Sequence, residues 1–152
     1  MKTANNTLQK GFTLIELLVV IGILAILLSI TLIAINPAKQ FSQANDTKRR
    51  SDVNAILNSI DQYAADNKGQ LPTGVTATLQ TISNTGADVC SSLITKYLAA
   101  LPVDPLTNNG TAIATCSAAY ATNYQVVKSA TDNRVTVSAP ATENGAIISV
   151  TR

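Results

Sequence analysis

The chain reads as an α+β protein, with a long N-terminal helix whose first half is suited to a membrane and a small C-terminal head built on an antiparallel sheet. Three observations predict this. Phe12–Ile35 is a run of 24 residues broken only by Thr13, Glu16, Gly22, Ser29 and Thr31. Behind it, residues 38–67 carry apolar side chains at helical spacing, and the last third alternates polar and apolar residues between turn signals.

The apolar run is the most decisive. As an α-helix its residues rise about 1.5 Å each, roughly 36 Å in all, enough to cross a hydrocarbon core of about 30 Å with some tilt. It holds no lysine, arginine or proline. One such span in a chain of 152 residues leaves room for one modest extra-membrane domain with a single core. The net charge of +2 and the scatter of the 11 basic residues argue against a nucleic-acid surface. The one basic cluster, Lys48-Arg49-Arg50, is flanked by Asp46 and Asp52, so no intrinsic nucleic-acid binding is expected.

Residues 1–11 are polar, carry Lys2 and Lys10 and contain no acid, which is the composition of a leader. An ordinary secretory signal has an apolar core of about 7–15 residues and a small-residue cleavage site, whereas this core is longer and runs into Asn36-Pro37. Cleavage is therefore expected before the apolar segment. The loop-charge rule alone opposes export of the C-terminal part, because Lys39, Lys48, Arg49 and Arg50 follow the span closely. A long folded domain translocates largely regardless of charge, and the two cysteines, Cys90 and Cys116, fit an oxidising compartment. One disulfide between them, worth about 3 kcal/mol, is the expected state; in a reducing compartment the alternative is two buried thiols.

The segment Lys10-Gly11-Phe12-Thr13-Leu14-Ile15-Glu16-Leu17-Leu18-Val19-Val20-Ile21 resembles the class III signal of type IV pilins and type II secretion pseudopilins. The resemblance implies a cut between Gly11 and Phe12 by a membrane-embedded prepilin peptidase, and methylation of the new Phe12 amine by the same enzyme. It also implies a pilin-like fold and homopolymeric assembly, in which Glu16 is the family's buried carboxylate. Physical reasoning runs the same way. Glycine lets an extended backbone enter a protease cleft, and the basic leader holds the bond at the cytoplasmic interface. A carboxylate at mid-membrane costs about 2.5–3.5 kcal/mol, less near the interface, and demands a partner. The Phe12 amine of a neighbouring subunit would supply one and set the stagger. The competing reading is local: Thr13-Leu-Ile-Glu16 fits a capping box.

Four segments follow: a cleaved leader 1–11, a transmembrane or filament-core helix 12–35, an amphipathic continuation 36–69 and a head 70–152. Pro37 should kink or open the helix. Beyond it, Phe41, Ala44, Val53, Ile56, Leu57, Ile60, Tyr63 and Ala64 form an apolar stripe, with Asp46/Arg50 and Lys48/Asp52 as solvated i,i+4 pairs. Asn67-Lys68-Gly69 supplies the helix end. Residues 70–86 read as a loop-rich connector, and Val89, Leu93, Tyr97 and Leu101 predict a short helix over about 87–100.

Leu101-Pro102-Val103-Asp104-Pro105, followed by Asn108-Asn109-Gly110, resembles a loop of major pseudopilins that can bind calcium, and that resemblance makes Asp104 the matching acid. Leu106 stands where an aromatic is usual. Calcium takes 6–8 oxygens, so an aspartate between two prolines reads as a turn residue, and no metal or cofactor is assigned. Strands are expected at 119–128, 134–139 and 146–151, with Ile147, Ile148 and Val150 supplying the last one's apolar side chains. Tyr120 and Tyr124 are expected in the core or at its rim.

With no histidine, nucleophile elbow, phosphate loop, dinucleotide fingerprint or metal-spaced cysteines, no catalytic constellation is present and the chain does not read as an enzyme. The leading expectation is a structural subunit of a type IV pilus-like filament, held first in the cytoplasmic membrane and then packed into a surface or periplasmic filament. Its expected partners are copies of itself, the prepilin peptidase and methyltransferase, the assembly machinery and membrane lipid. The nearest alternative is a pseudopilin of a type II secretion or DNA-uptake system. A more distant one is a membrane-anchored binding domain that never polymerises, which has no reason to keep Glu16 inside lipid.

Overall fold

The computed structural model describes residues 11–152, so of the expected leader only Gly11 lies among the described residues. Two units emerge, one ending at Gln40 and one spanning Phe41–Arg152.

The first unit contains α1 (Leu14–Ile35), none of whose side chains is buried. Thr13 starts it with a complete capping box: its hydroxyl accepts from the Glu16 N–H at 3.3 Å, and its own N–H donates to Glu16 Oε2 at 2.8 Å. The Ser29 and Thr31 hydroxyls donate back to the carbonyls of Ala25 and Leu28, so neither needs an outside partner in an apolar setting. The helix stops at Asn36, which adopts the left-handed conformation at φ 46°. Asn36 then opens α2 (Pro37–Asp66): its Oδ1 and its carbonyl both accept from the Lys39 N–H. Pro37 sits at the first helical position, where a missing N–H costs nothing. The expected break at Asn36-Pro37 is thus a full interruption of the helix.

In the second unit, α2 packs on a four-stranded antiparallel sheet of order β1-β2-β3-β4. The strands are β1 (Gln80–Ser83), β2 (Ala121–Lys128), β3 (Val135–Ala139) and β4 (Ile148–Thr151). Pairs such as Thr81 with Gln125, Val126 with Val137, and Val137 with Val150 fix the register. The core brings Val53, Ile56, Leu57 and Ile60 of α2 together with Ile82, Leu93, Leu101, Tyr124, Val126, Val137 and Ile148, all buried. Lys68 and Gly69, both at positive φ, end α2, with the Gly69 N–H returning to the Ala64 carbonyl at 2.8 Å.

The structure corrects four expectations. β1 lies inside the segment expected to be a connector. The helix expected over 87–100 is only α3 (Cys90–Leu93), because Ile94 turns extended and Thr95 enters the left-handed region at φ 73°. Phe41 and Ala44 lie off the buried stripe, exposed to solvent. Ile147 precedes β4 with its side chain almost fully exposed, leaving Ile148 buried and Val150 partly so.

Candidate functional site

Two places in the molecule carry more than packing. The first is the start of α1. Gly11 and Phe12 precede the helix as exposed, non-helical backbone, and Phe12 is 85% exposed. Glu16 sits one turn in, its Oε2 accepting from the Thr13 N–H at 2.8 Å and the Thr13 hydroxyl at 2.7 Å. Every large apolar side chain from Leu14 to Ile35 is at least half exposed, so the helix has no packing partner among the described residues of its own chain. Such a surface is stable only in lipid or against other helices.

The second is a buried charge cluster absent from the expectations. Arg49, which the sequence offers only as a member of the basic cluster Lys48-Arg49-Arg50, has a fully buried side chain. Its Nε donates to Asp104 Oδ2 at 2.7 Å and its Nη2 to Asp104 Oδ1 at 3.2 Å, a two-pronged pairing with another fully buried group. Nη1 donates to Asp46 Oδ1 and to Glu143 Oε2, each at 2.9 Å. Asp46 therefore pairs with Arg49 and not with Arg50, whereas Lys48 and Asp52 form their expected pair at 2.8 Å. Asp46 also receives the N–H groups of Glu143 and Asn144 and the Asn144 amide, while Asn45 donates to Glu143 at 2.8 Å. The Leu106 N–H caps Asp104 Oδ1 at 3.0 Å.

The cluster ties together α2, the loop after Leu101 and the β3–β4 connection. Burial alone would push the Asp46 carboxyl up, but the Asn144, Glu143 and Arg49 hydrogen bonds outweigh it and hold it below its ordinary value. Hydrogen bonds from Asn45 and Arg49 hold the Glu143 carboxyl low as well. Asp104 raises the affinity of Arg49 for its proton still further, against the opposing effect of burial. A signal for Arg49 was present in the sequence: it stands 4, 7 and 11 residues before Val53, Ile56 and Ile60, on the same buried stripe.

Beside the core, Tyr124 donates to Asp52 at 2.8 Å and Tyr120 to Asp88 at 2.7 Å, both tyrosines buried as expected. Cys90 and Cys116 form a disulfide with Cα atoms 5.6 Å apart, joining α3 to the loop before β2. A cleft of about 740 Å³ opens between the end of α2, the 69–75 turn and β3, with Asp61, Gln70, Lys128 and Arg152 on its walls. No histidine or cysteine lines it.

The fold and the exposed helix define a class: a small α+β head that follows, in the chain, an N-terminal membrane-type helix preceded by a Gly-Phe junction. Within that class, residues 6–32 match the family described as the prokaryotic N-terminal methylation motif. The chain is also 44% identical over 59 residues to the type II secretion system core protein G of Aeromonas hydrophila, a match covering 39% of this chain and 40% of that relative. The resemblance to type IV pilins and pseudopilins seen at Lys10–Ile21 is thereby borne out for the N-terminal segment. The chain spans about two-fifths of the length of the curated relative it matches. No solved structure matches it.

Proposed function

We propose that this chain is a structural subunit of a type IV pilus-like or pseudopilus filament, assembled through α1 and performing no chemistry of its own. The observation that carries the reading is the combination of a methylation-type motif with a 22-residue apolar helix that buries none of its side chains in its own chain. The precursor is held in the cytoplasmic membrane by α1 as a single span. A prepilin peptidase cuts between Gly11 and Phe12 and the new Phe12 amine is methylated. The subunit then leaves lipid for a helical bundle of α1 segments, where packing replaces lipid contact. Before assembly Glu16 is satisfied by Thr13; in the bundle its carboxylate pairs with the Phe12 amine of a neighbour. The similarity to a type II secretion core protein favours a short periplasmic pseudopilus as the variant of this reading to examine first.

Intact mass of the membrane-extracted protein tests the processing. Loss of residues 1–11 with the mass of one methyl group added is the expected result. A chain retaining its first eleven residues, or one cut after Ile35, would overturn it.

A further inference from the structure

The loop that carries Asp104 resembles one that holds calcium in pseudopilins, and the residues present here do not fit that ion. Calcium takes 6–8 oxygens at about 2.3–2.6 Å. Asp104 has both carboxylate oxygens committed, Oδ2 to Arg49 Nε and Oδ1 to Arg49 Nη2 and the Leu106 N–H. Its carbonyl accepts from the Thr107 N–H at 2.9 Å and its own N–H donates to the Thr122 carbonyl at 2.9 Å. A divalent ion on this carboxylate would lie in direct contact range of a buried guanidinium, with like charges repelling through a poorly screening interior. Among the described residues no group of three or more acidic or other ligating side chains could hold a metal.

What the loop has instead is a cation belonging to the chain. We infer that the Arg49 guanidinium replaces the divalent cation as the organising charge of this head, so that the 101–113 loop and the β3–β4 connection are held without metal. Three features support the substitution. The guanidinium serves three carboxylates from three separate segments, as a bridging metal would, through four hydrogen bonds. The cluster is closed, with no buried side-chain polar atom lacking a partner among the described residues. Its position on α2, one turn before Val53, anchors the charge in the longest helix of the chain. An arginine on a helix is delivered by folding itself, whereas an ion must be captured from the medium.

The inference is independent of the filament reading and is tested separately. Full-length protein in detergent micelles is melted with a calcium chelator and with millimolar calcium, followed by the near-ultraviolet circular dichroism of its tyrosines. All four tyrosines lie beyond residue 60, so the signal reports the head alone. The expected result is the same melting temperature in both conditions. A fall on chelation, or a rise with calcium, overturns the inference whatever happens to the variants. Arg49→Ala is expected to melt lower and to become cleavable by protease within residues 102–109 and 141–146 before the rest of the head. Wild-type melting and wild-type protease resistance in that variant would also overturn it.

Discussion

Removing the disulfide from one side or from the other should have unequal effects, and the structure says which is worse. Cys90 is fully buried in the core cluster, whereas Cys116 lies in the exposed segment 114–119. Among the described residues no backbone hydrogen bond joins that segment to the rest of the head; its flanks are fixed at Leu101–Ile113 and at Asn84–Tyr120. Cys116→Ser therefore costs mainly the loop-closure entropy of a 26-residue separation, roughly 3.5 kcal/mol in the chain-entropy treatment, because the introduced hydroxyl meets water and Cys90 remains apolar. Cys90→Ser loses the same closure and also places a hydroxyl in the core, about 1–3 kcal/mol more. Urea denaturation of the full chain in micelles under non-reducing conditions, read from the tyrosine signal, measures both. Wild-type stability in either variant, or a greater loss for Cys116→Ser, would refute the reasoning.

Acid should loosen the head through the Arg49 cluster. Asp46 and Glu143 have folded values below their ordinary 3.8 and 4.5, so their stabilisation is complete above those values and is lost as pH falls through the lower folded ones. Asp46→Asn or Glu143→Gln should flatten that acid limb of a urea-midpoint series. At the alkaline end, burial first and then the Asp88 and Asp52 carboxylates push the Tyr120 and Tyr124 hydroxyls above 10, so their contribution is full below 10 and declines as pH rises past it. Phenolate absorbance should accordingly show Tyr120 and Tyr124 ionising only with unfolding. Gly74→Ala puts a Cβ within 2.6–2.8 Å of Asp88 backbone atoms and should cost about 1–3 kcal/mol by forcing the 70–75 turn off α3's entry, measurable in the same urea series.

How much was legible follows from how local each signal is. The apolar run, the Asn36-Pro37 break, the Lys68-Gly69 stop and strands β2 to β4 each rest on contiguous residues, and the structure places them within a residue or two of expectation. β1 was not legible because only Ile82 and Ser83 of its four residues are buried. It is a strand by virtue of pairing with β2 some 40 positions later, across an irregularity between Thr81 and Ser83. The spacing of Val89, Leu93, Tyr97 and Leu101 misled in the opposite direction. Those side chains do pack inward, but over turns held by Ile94–Leu98 and Leu101–Ile113 bridges instead of one helix. Arg49 was hidden by its type: a basic triplet reads as a solvated face, and two of its three acids, Asp104 and Glu143, come from segments that only the fold brings to it.

The central claim, that α1 exists to assemble subunits and not merely to anchor one, is tested most directly at Glu16. In lipid, Glu16→Leu removes a desolvation cost of up to about 2.5–3.5 kcal/mol, so the precursor should insert at least as well as wild type. On the proposed filament packing the same change would leave a neighbour's Phe12 amine without its counter-charge in a poorly solvated core, a loss of about 3–5 kcal/mol that would recur at every subunit. Membrane level, processing and sheared-filament yield are scored separately in the variant. Normal membrane level with strongly reduced filaments is the predicted result. Wild-type filament yield would contradict the account, leaving Glu16 as the helix cap seen with Thr13 and α1 as a simple anchor.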